Sequence, residues 1–172
     1  MIVKKTGKIG IVAFAFGAPK NILSNLWIAI FAEKWAKRLR TEIYTQRDVS
    51  IEIGFGIKAE YIAEEPGSPP STLRMARGAV LWAENRGFNE ILVVAANPHV
   101  WRCKRDLEYV IRERKANIKV SICEYNSMTS EYWWYCQDSV QPRTRSRSNW
   151  RRREWVLERL PMWAYSFLAS RV

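Results

Sequence analysis

Long hydrophobic runs are missing from this sequence. No stretch of about 18 uninterrupted apolar residues occurs, so no transmembrane helix is expected. Cysteine is sparse: Cys103, Cys123 and Cys136 are odd in number, far apart and in no CxxC pair. That argues against a disulfide framework and against a structural zinc site, and no metal is expected. Free thiols suit a reducing compartment, so the chain reads as cytoplasmic. Histidine occurs once, as His99, and the GxGxxG, GxxxxGK[ST] and GxSxG patterns do not occur. The classical dinucleotide, P-loop and serine-hydrolase readings lose their best support with them, and no motif names a cofactor. No internal repeat is visible.

What is present is basic and aromatic. The 172 residues fit one domain, 1–172, and a hydrophobic share of 48% against 26% charged belongs to a folded chain. Lys and Arg number 28 against 17 acids, a net charge of +11. That balance suits an anionic partner: a nucleic acid, an acidic membrane surface or a phosphorylated small molecule.

Lys4, Lys5 and Lys8 precede an apolar run from Ile9 to Phe16. Two readings fit. Residues 1–18 resemble a secretory signal, which would make the protein exported or envelope-associated. The same run suits an opening strand buried on both faces, and its shortness together with the amphipathic stretch after it favours the strand.

Strand and helix patterns then alternate. After strand 9–16, Ser24 is placed to cap a helix to about Arg40, with Leu26, Ile30, Phe31, Trp35 and Leu39 on one face. Segments 42–45, 49–55 and 58–63 are β-rich, and the Pro66–Pro70 stretch is a loop. Ser71 or Thr72 caps a helix to about Arg86, with Met75, Ala76, Ala79, Val80 and Ala83 as its apolar stripe and Gly87 as its stop. Residues 91–96 are the clearest strand. Asn97 reads as the next cap with Pro98 behind it, and the helix to about Ala116 buries Cys103, Leu107, Val110 and Ile111. Residues 118–123 form a further strand.

This alternation predicts an α/β fold: a Rossmann-like, doubly wound, mostly parallel sheet of about five strands in a three-layer sandwich, with 9–16 and 91–96 in the middle. From about residue 125 a basic, Trp-rich C-terminal extension breaks the rhythm, ending in a helix from about Asn149 to Leu160 with Trp150, Val156, Leu157 and Leu160 to one side.

Ligands of open α/β sheets bind outside the carboxyl ends of the strands. Three polar loops fall there: Gly17 to Ser24, Ser68 to Thr72, and Asn97 to Arg102. Each leads into a helix whose first amides are unpaired donors, together an anion site suited to phosphate. Gly17, Lys20, Asn21, Ser68, Ser71, Thr72, Asn97 and Arg102 are the candidate ligand residues, and His99 the candidate general acid or base. His99 and Arg102, three residues apart on one helix, should face the pocket that Thr72 faces. Ordinary helix capping explains Ser71, Thr72 and Asn97 equally well, and His99 suits a helix-start hydrogen bond.

The runs YIAEEPGSPPSTLRMARGAVLWA and ILVVAANPHVWRCKRDLEYV, from Tyr61 to Tyr109, carry a further signal. An acidic residue and a Ser/Thr-rich loop open a helix; one strand later a stretch ends in His, with Arg three residues on. The segment resembles the envelope-associated domain-of-unknown-function family DUF218, which includes the SanA, ElyC and YdcF proteins. That resemblance implies a Rossmann-like fold, a link with envelope biogenesis and a nucleotide-like or phosphorylated ligand. It assigns Glu65, Ser68, Ser71, Thr72, His99 and Arg102 to the site, with Glu65 accepting from a sugar hydroxyl. Leu73, Arg74 and Met75 replace the Glu-Asn pair that follows the family's helix-opening Thr.

A reading of another class rests on the extension. Arg143, Arg145, Arg147, Arg151, Arg152 and Arg153, with Trp150 among them, suit the backbone and bases of a nucleic acid or an anionic membrane surface. A solvated charged face explains the same run.

Overall fold

The structure, a computed structural model, describes residues 8–49, 51, 56–63, 70–124 and 131–169. Five strands form one all-parallel sheet: β1 (Ile9–Ala13), β2 (Ile43–Thr45), β3 (Ala59–Tyr61), β4 (Glu90–Val94) and β5 (Lys119–Ile122), in the order β3-β2-β1-β4-β5. The central strand is apolar on both sides because helices cover both. Ile11 and Ala13 face one core with α1 (Leu23–Leu39); Val12 and Phe14 face the other with α2 (Thr72–Arg86) and α3 (Asn97–Arg114). Each fully buried Ile, Val or Phe here contributes about 1.5–3 kcal/mol. Gly10 in β1 has a steric reason: a Cβ there would stand 2.7 Å from Trp82 Cη2 and 2.8 Å from Phe88 Cδ2.

The doubly wound parallel sandwich is therefore as the sequence pattern predicts, with differences at element ends. Strand 9–16 stops at Ala13. Phe14 N still donates to Val94 O, but Ala15 N donates to Gln46 Oε1 and Phe16 N to Asn25 Oδ1, so side chains replace the ladder. Likewise β4 ends at Val94, short of residue 96. Of segment 49–55, only Val49 and Ile51 lie among the described residues.

Ser24 does not cap α1. The cap position is Ile22, and the hydroxyl of Ser24, the second residue of the helix, donates to Phe16 O at 2.8 Å. The inward face of α1 is only in part the large-residue stripe: Phe31, Trp35 and Leu39 pack partly buried against the core. Asn25, Ile28, Ala29, Ala32 and Ala36 are buried, whereas Leu26 and Ile30 are exposed. Small residues at helical spacing let α1 lie close against the sheet, and closeness outweighs side-chain size in choosing the face. Asn97 is not a cap: Ala96 holds that position, and Asn97 is the exposed first residue of α3.

The C-terminal extension is ordered over 131–169. A 3₁₀ turn, Glu131–Trp134, and a second, Pro142–Thr144, lead into α4 (Arg147–Arg159) and α5 (Met162–Ala169). Trp134 and Trp150 are buried in the core beside α1, and Tyr165 in the core beside α2 and α3. The extension therefore crosses the carboxyl edge of the sheet from one face to the other. The buried positions of α4 are Trp150 and Glu154; Val156 is exposed, contrary to the sequence reading, because a carboxylate with arginine partners occupies the inward position. Among the described residues no helix is long and apolar enough to cross a membrane.

Candidate functional site

β1 and β4 are neighbours whose following helices, α1 and α3, leave on opposite faces of the sheet. A parallel sheet opens a crevice at such a point, beyond the carboxyl ends of the strands. Phe14 to Gly17, after β1, form its floor. Pro70 to Thr72 open α2 on one side, and the first turns of α3 supply His99 and Arg102. The extension closes the remaining side with Gln141, Arg143, Thr144, Trp150, Arg153 and Tyr165. The cavity, partly open to solvent, is about 150 Å³. At roughly 30 Å³ per water, that is room for about five waters, or one small polyatomic anion with a tail leading out.

His99 and Thr72 meet directly, Thr72 Oγ1 standing 3.1 Å from His99 Nε2. The sequence expectation that His99, Arg102 and Thr72 share one pocket is thus what the chain does. Either tautomer leaves a donor available: with the proton on Nδ1, the ring donates there and accepts from Thr72; with it on Nε2, the Thr72 hydroxyl is released to donate elsewhere. His99 is only 6% exposed, and its Nδ1 makes no hydrogen bond. Burial holds its pKa well below 6.5, and Arg102, Arg153 and Arg143 push the same way; the Ala15 backbone opposes them without a well-aligned bond. The imidazole is neutral at pH 7.

Three guanidiniums converge on this histidine. Arg102 is 3% exposed, 5.0 Å over the Trp150 ring, with Nη1 2.7 Å from Glu154 Oε1. That is an ion pair by distance, yet neither Nη1 nor Nε makes an aligned hydrogen bond. Arg153 is 3.4 Å from the same carboxylate oxygen. Burial and the neighbouring Arg102 lower the Arg153 pKa to about 10, with Arg143 adding to the effect; burial and Arg102 lower that of Arg143 as well. Burial raises the Glu154 pKa against the pull of Arg102 and Arg153. Beneath them Asp106, fully buried, accepts from Tyr165 Oη at 2.6 Å and from Arg105 at 2.9 and 3.0 Å, a pair complete in itself.

Local sequence explains the placement. Gly17 has φ +95°, and a Cβ there would stand 2.8 Å from Ile22 Cδ1, Ser139 Oγ and Thr144 Oγ1. Only glycine lets the β1 loop reverse while residues 139–144 press onto it. Ser139 Oγ donates to Ala18 O and lies 2.7 Å from Thr144 Oγ1, and Val140 N donates to Ala18 O. Trp150 is fixed by its Nε1 donating to Pro98 O at 2.9 Å and by Phe16, 4.6 Å away ring to ring.

The structure brings Gly17, Ser71, Thr72, His99 and Arg102 to the cavity. It does not bring Lys20, Asn21 or Asn97 there. Lys20 and Asn21 stand in the solvent-exposed turn beyond Gly17, displaced by the docked 139–144 segment, and Asn97 faces solvent. Ser71 is largely used within the fold: its Oγ accepts from Arg74 N and donates to Ala169 O. Glu65 and Ser68 lie outside the described residues. From the basic run, Arg143, Trp150 and Arg153 line the cavity; Arg145 Nε donates to Ser139 O at 2.6 Å, and Arg147, Arg151 and Arg152 are exposed. Sequence reasoning treated that run as a separate surface, and it missed Gln46, Thr144 and Tyr165 in the wall and Glu154 behind it. A signal existed for Glu154: it is the only acid between Arg143 and Val156, four residues from Trp150.

The three cysteines are free, Cys103 and Cys123 buried, and no cluster of metal-ligating side chains occurs among the described residues. Compared with known proteins, the chain matches no family model and no curated protein.

Proposed function

We propose that this cavity binds a small anionic ligand, phosphorylated or nucleotide-like, at the carboxyl ends of the strands. The observation that carries the reading is the convergence of Arg102, Arg143 and Arg153 on the His99–Thr72 pair, with no carboxylate among the described cavity-lining residues. A buried guanidinium is stable only when paired, and the Glu154 carboxylate that answers buried Arg102 is shared with half-buried Arg153, leaving exposed Arg143 outside the pair. The remaining positive charge is answered by a ligand. Thr72 and the first amides of α2 hold an anionic group, Arg143 draws it in at the solvent side, and His99, neutral at pH 7, is a hydrogen-bond partner and the candidate acid or base.

The resemblance over Tyr61 to Tyr109 supports placing the chain with the SanA, ElyC and YdcF family and its ligand in cell-envelope metabolism. The alternative, a nucleic-acid- or membrane-surface module, retains Arg147, Arg151 and Arg152 on the exposed side of α4.

Thermal unfolding of the full chain with phosphorylated small molecules, oligonucleotides and anionic vesicles, each across a salt series, tests the choice. The cavity reading expects stabilisation by small phosphorylated ligands that weakens only modestly with salt, survives Arg151→Ala with Arg152→Ala, and is reduced in Arg143→Ala. Stabilisation only by polyanions or vesicles, steeply salt-dependent and lost in the double variant, overturns it.

A further inference from the structure

The charge around the cavity can be counted, and its value narrows the ligand. Arg102, Arg143 and Arg153 supply three positive charges, Glu154 returns one, and Arg105 with Asp106 beneath cancel each other. His99 is neutral at pH 7. Among the described residues the site holds a surplus of two. Resting on the anion-site reading above, we propose that the cavity selects a terminal phosphoryl dianion, inorganic phosphate or a phosphate monoester, over phosphodiesters and carboxylates.

Three further observations point the same way. Buried donors among the cavity-lining residues remain to be answered: Arg102 Nε has no hydrogen bond at 3% exposure, Arg102 Nη1 meets only Glu154 and without alignment, and one donor of the His99–Thr72 pair is available in either tautomer. A phosphoryl group presents three terminal oxygens to such an array; a diester presents two with a single charge, and a carboxylate two in one plane. Arginine is the side chain suited to bind them, because its fork matches phosphate oxygens pairwise. Volume sets the last limit. About 150 Å³ admits a phosphoryl group with one substituent leaving past exposed Arg143 and Leu168. A diester needs room for a second substituent, and Phe14, Phe16, Trp150 and Tyr165 wall the cavity with packed core.

Any anion lowers repulsion among the arginines, but only a dianion cancels the surplus, and beside buried Arg102 the residual charge is costly. A phosphate monoester carries its second negative charge only above a pKa of about 6, and inorganic phosphate at a pH higher still, whereas sulfate is a dianion throughout.

Calorimetric titration of the full-length protein with inorganic phosphate, phenyl phosphate, sulfate, dimethyl phosphate and acetate tests it. At pH 7.5 phosphate and phenyl phosphate should bind at least tenfold more tightly than dimethyl phosphate or acetate. Lowering the pH from 7.5 to 5.5 should weaken phosphate relative to sulfate, since the groups facing the ligand (His99, Glu154 and the three arginines) act on both alike. Arg143→Ala, an exposed substitution, should shrink the monoester-to-diester ratio by reducing the surplus. Dimethyl phosphate or acetate binding as tightly as phosphate overturns the dianion proposal and leaves the anion-site reading standing. No binding by any of the five overturns both.

Discussion

On its sheet side the cavity is walled by residues whose positions follow from burial and helix starts. Phe14 and Phe16 extend a strand that is apolar on both faces, Thr72 opens α2 behind the Ser71 cap, and His99 sits on the first turn of α3. On its C-terminal side the wall is held by a few specific polar and aromatic contacts: Trp150 to Pro98 O, Arg102 to Glu154, Tyr165 to Asp106, and Ser139 with Thr144 on Ala18. The sheet side carries the histidine and one arginine; the extension carries two arginines and the carboxylate that tempers them. A parallel sheet thus gains a walled, charged site without a motif of its own, because a segment outside the repeating pattern crosses its carboxyl edge.

The comparison breaks most severely at Trp150. Trp150→Ala removes a buried ring packed on Phe16 and Arg102, and should cost about 3–5 kcal/mol in chemical denaturation while far-UV circular dichroism retains the α/β signal. Unchanged stability would mean that the extension is not docked through this residue. Next in size is Glu154→Gln, which strips the partner from a buried guanidinium. About 3 kcal/mol should be lost, and millimolar phosphate should restore part of it. Loss without rescue would show that the arginines serve only the internal ion pair.

The sheet side was legible in the sequence because few chain arrangements satisfy its patterns. Apolar runs at 9–16 and 91–96 require cover on both faces, and helix starts at 71–72 and 97–98 follow from capping chemistry and proline. Thr72, His99 and Arg102 come together from strand order alone. The errors have one cause: sequence shows which residues are apolar but not how closely elements approach. Hence α1 turns its alanines inward rather than Leu26 and Ile30, and Lys20 and Asn21 are excluded by a segment about 120 residues later in the chain. Arg143 and Arg153 read as surface charge because their cavity exists only once 139–154 has docked.

A smaller effect sharpens the electrostatic half of the comparison. With the folded pKa of His99 below its unfolded value near 6.5, the unfolded chain binds more protons, so this residue's stabilising contribution is present above pH 6.5 and falls as pH drops below it. Wild type minus His99→Gln stability should therefore decline below pH 6.5 by up to about 1.4 kcal/mol per pH unit. Taking the difference removes the opposite trends of Glu154 and Asp106, whose raised values favour the fold at low pH. A flat difference would place His99 in solvent. Smallest of all, Lys20→Ala with Asn21→Ala should change both stability and phosphate binding negligibly, within about 0.5 kcal/mol.

The most direct measurement uses the fact that the chain has a single histidine. Its ring carbon resonance, followed by NMR across pH with and without inorganic phosphate, reports the field at the centre of the site. The account predicts a midpoint well below 6.5 in the free protein that rises when phosphate binds, because the anion offsets the guanidiniums pressing on the ring. A midpoint near 6.5 that phosphate does not move would contradict it.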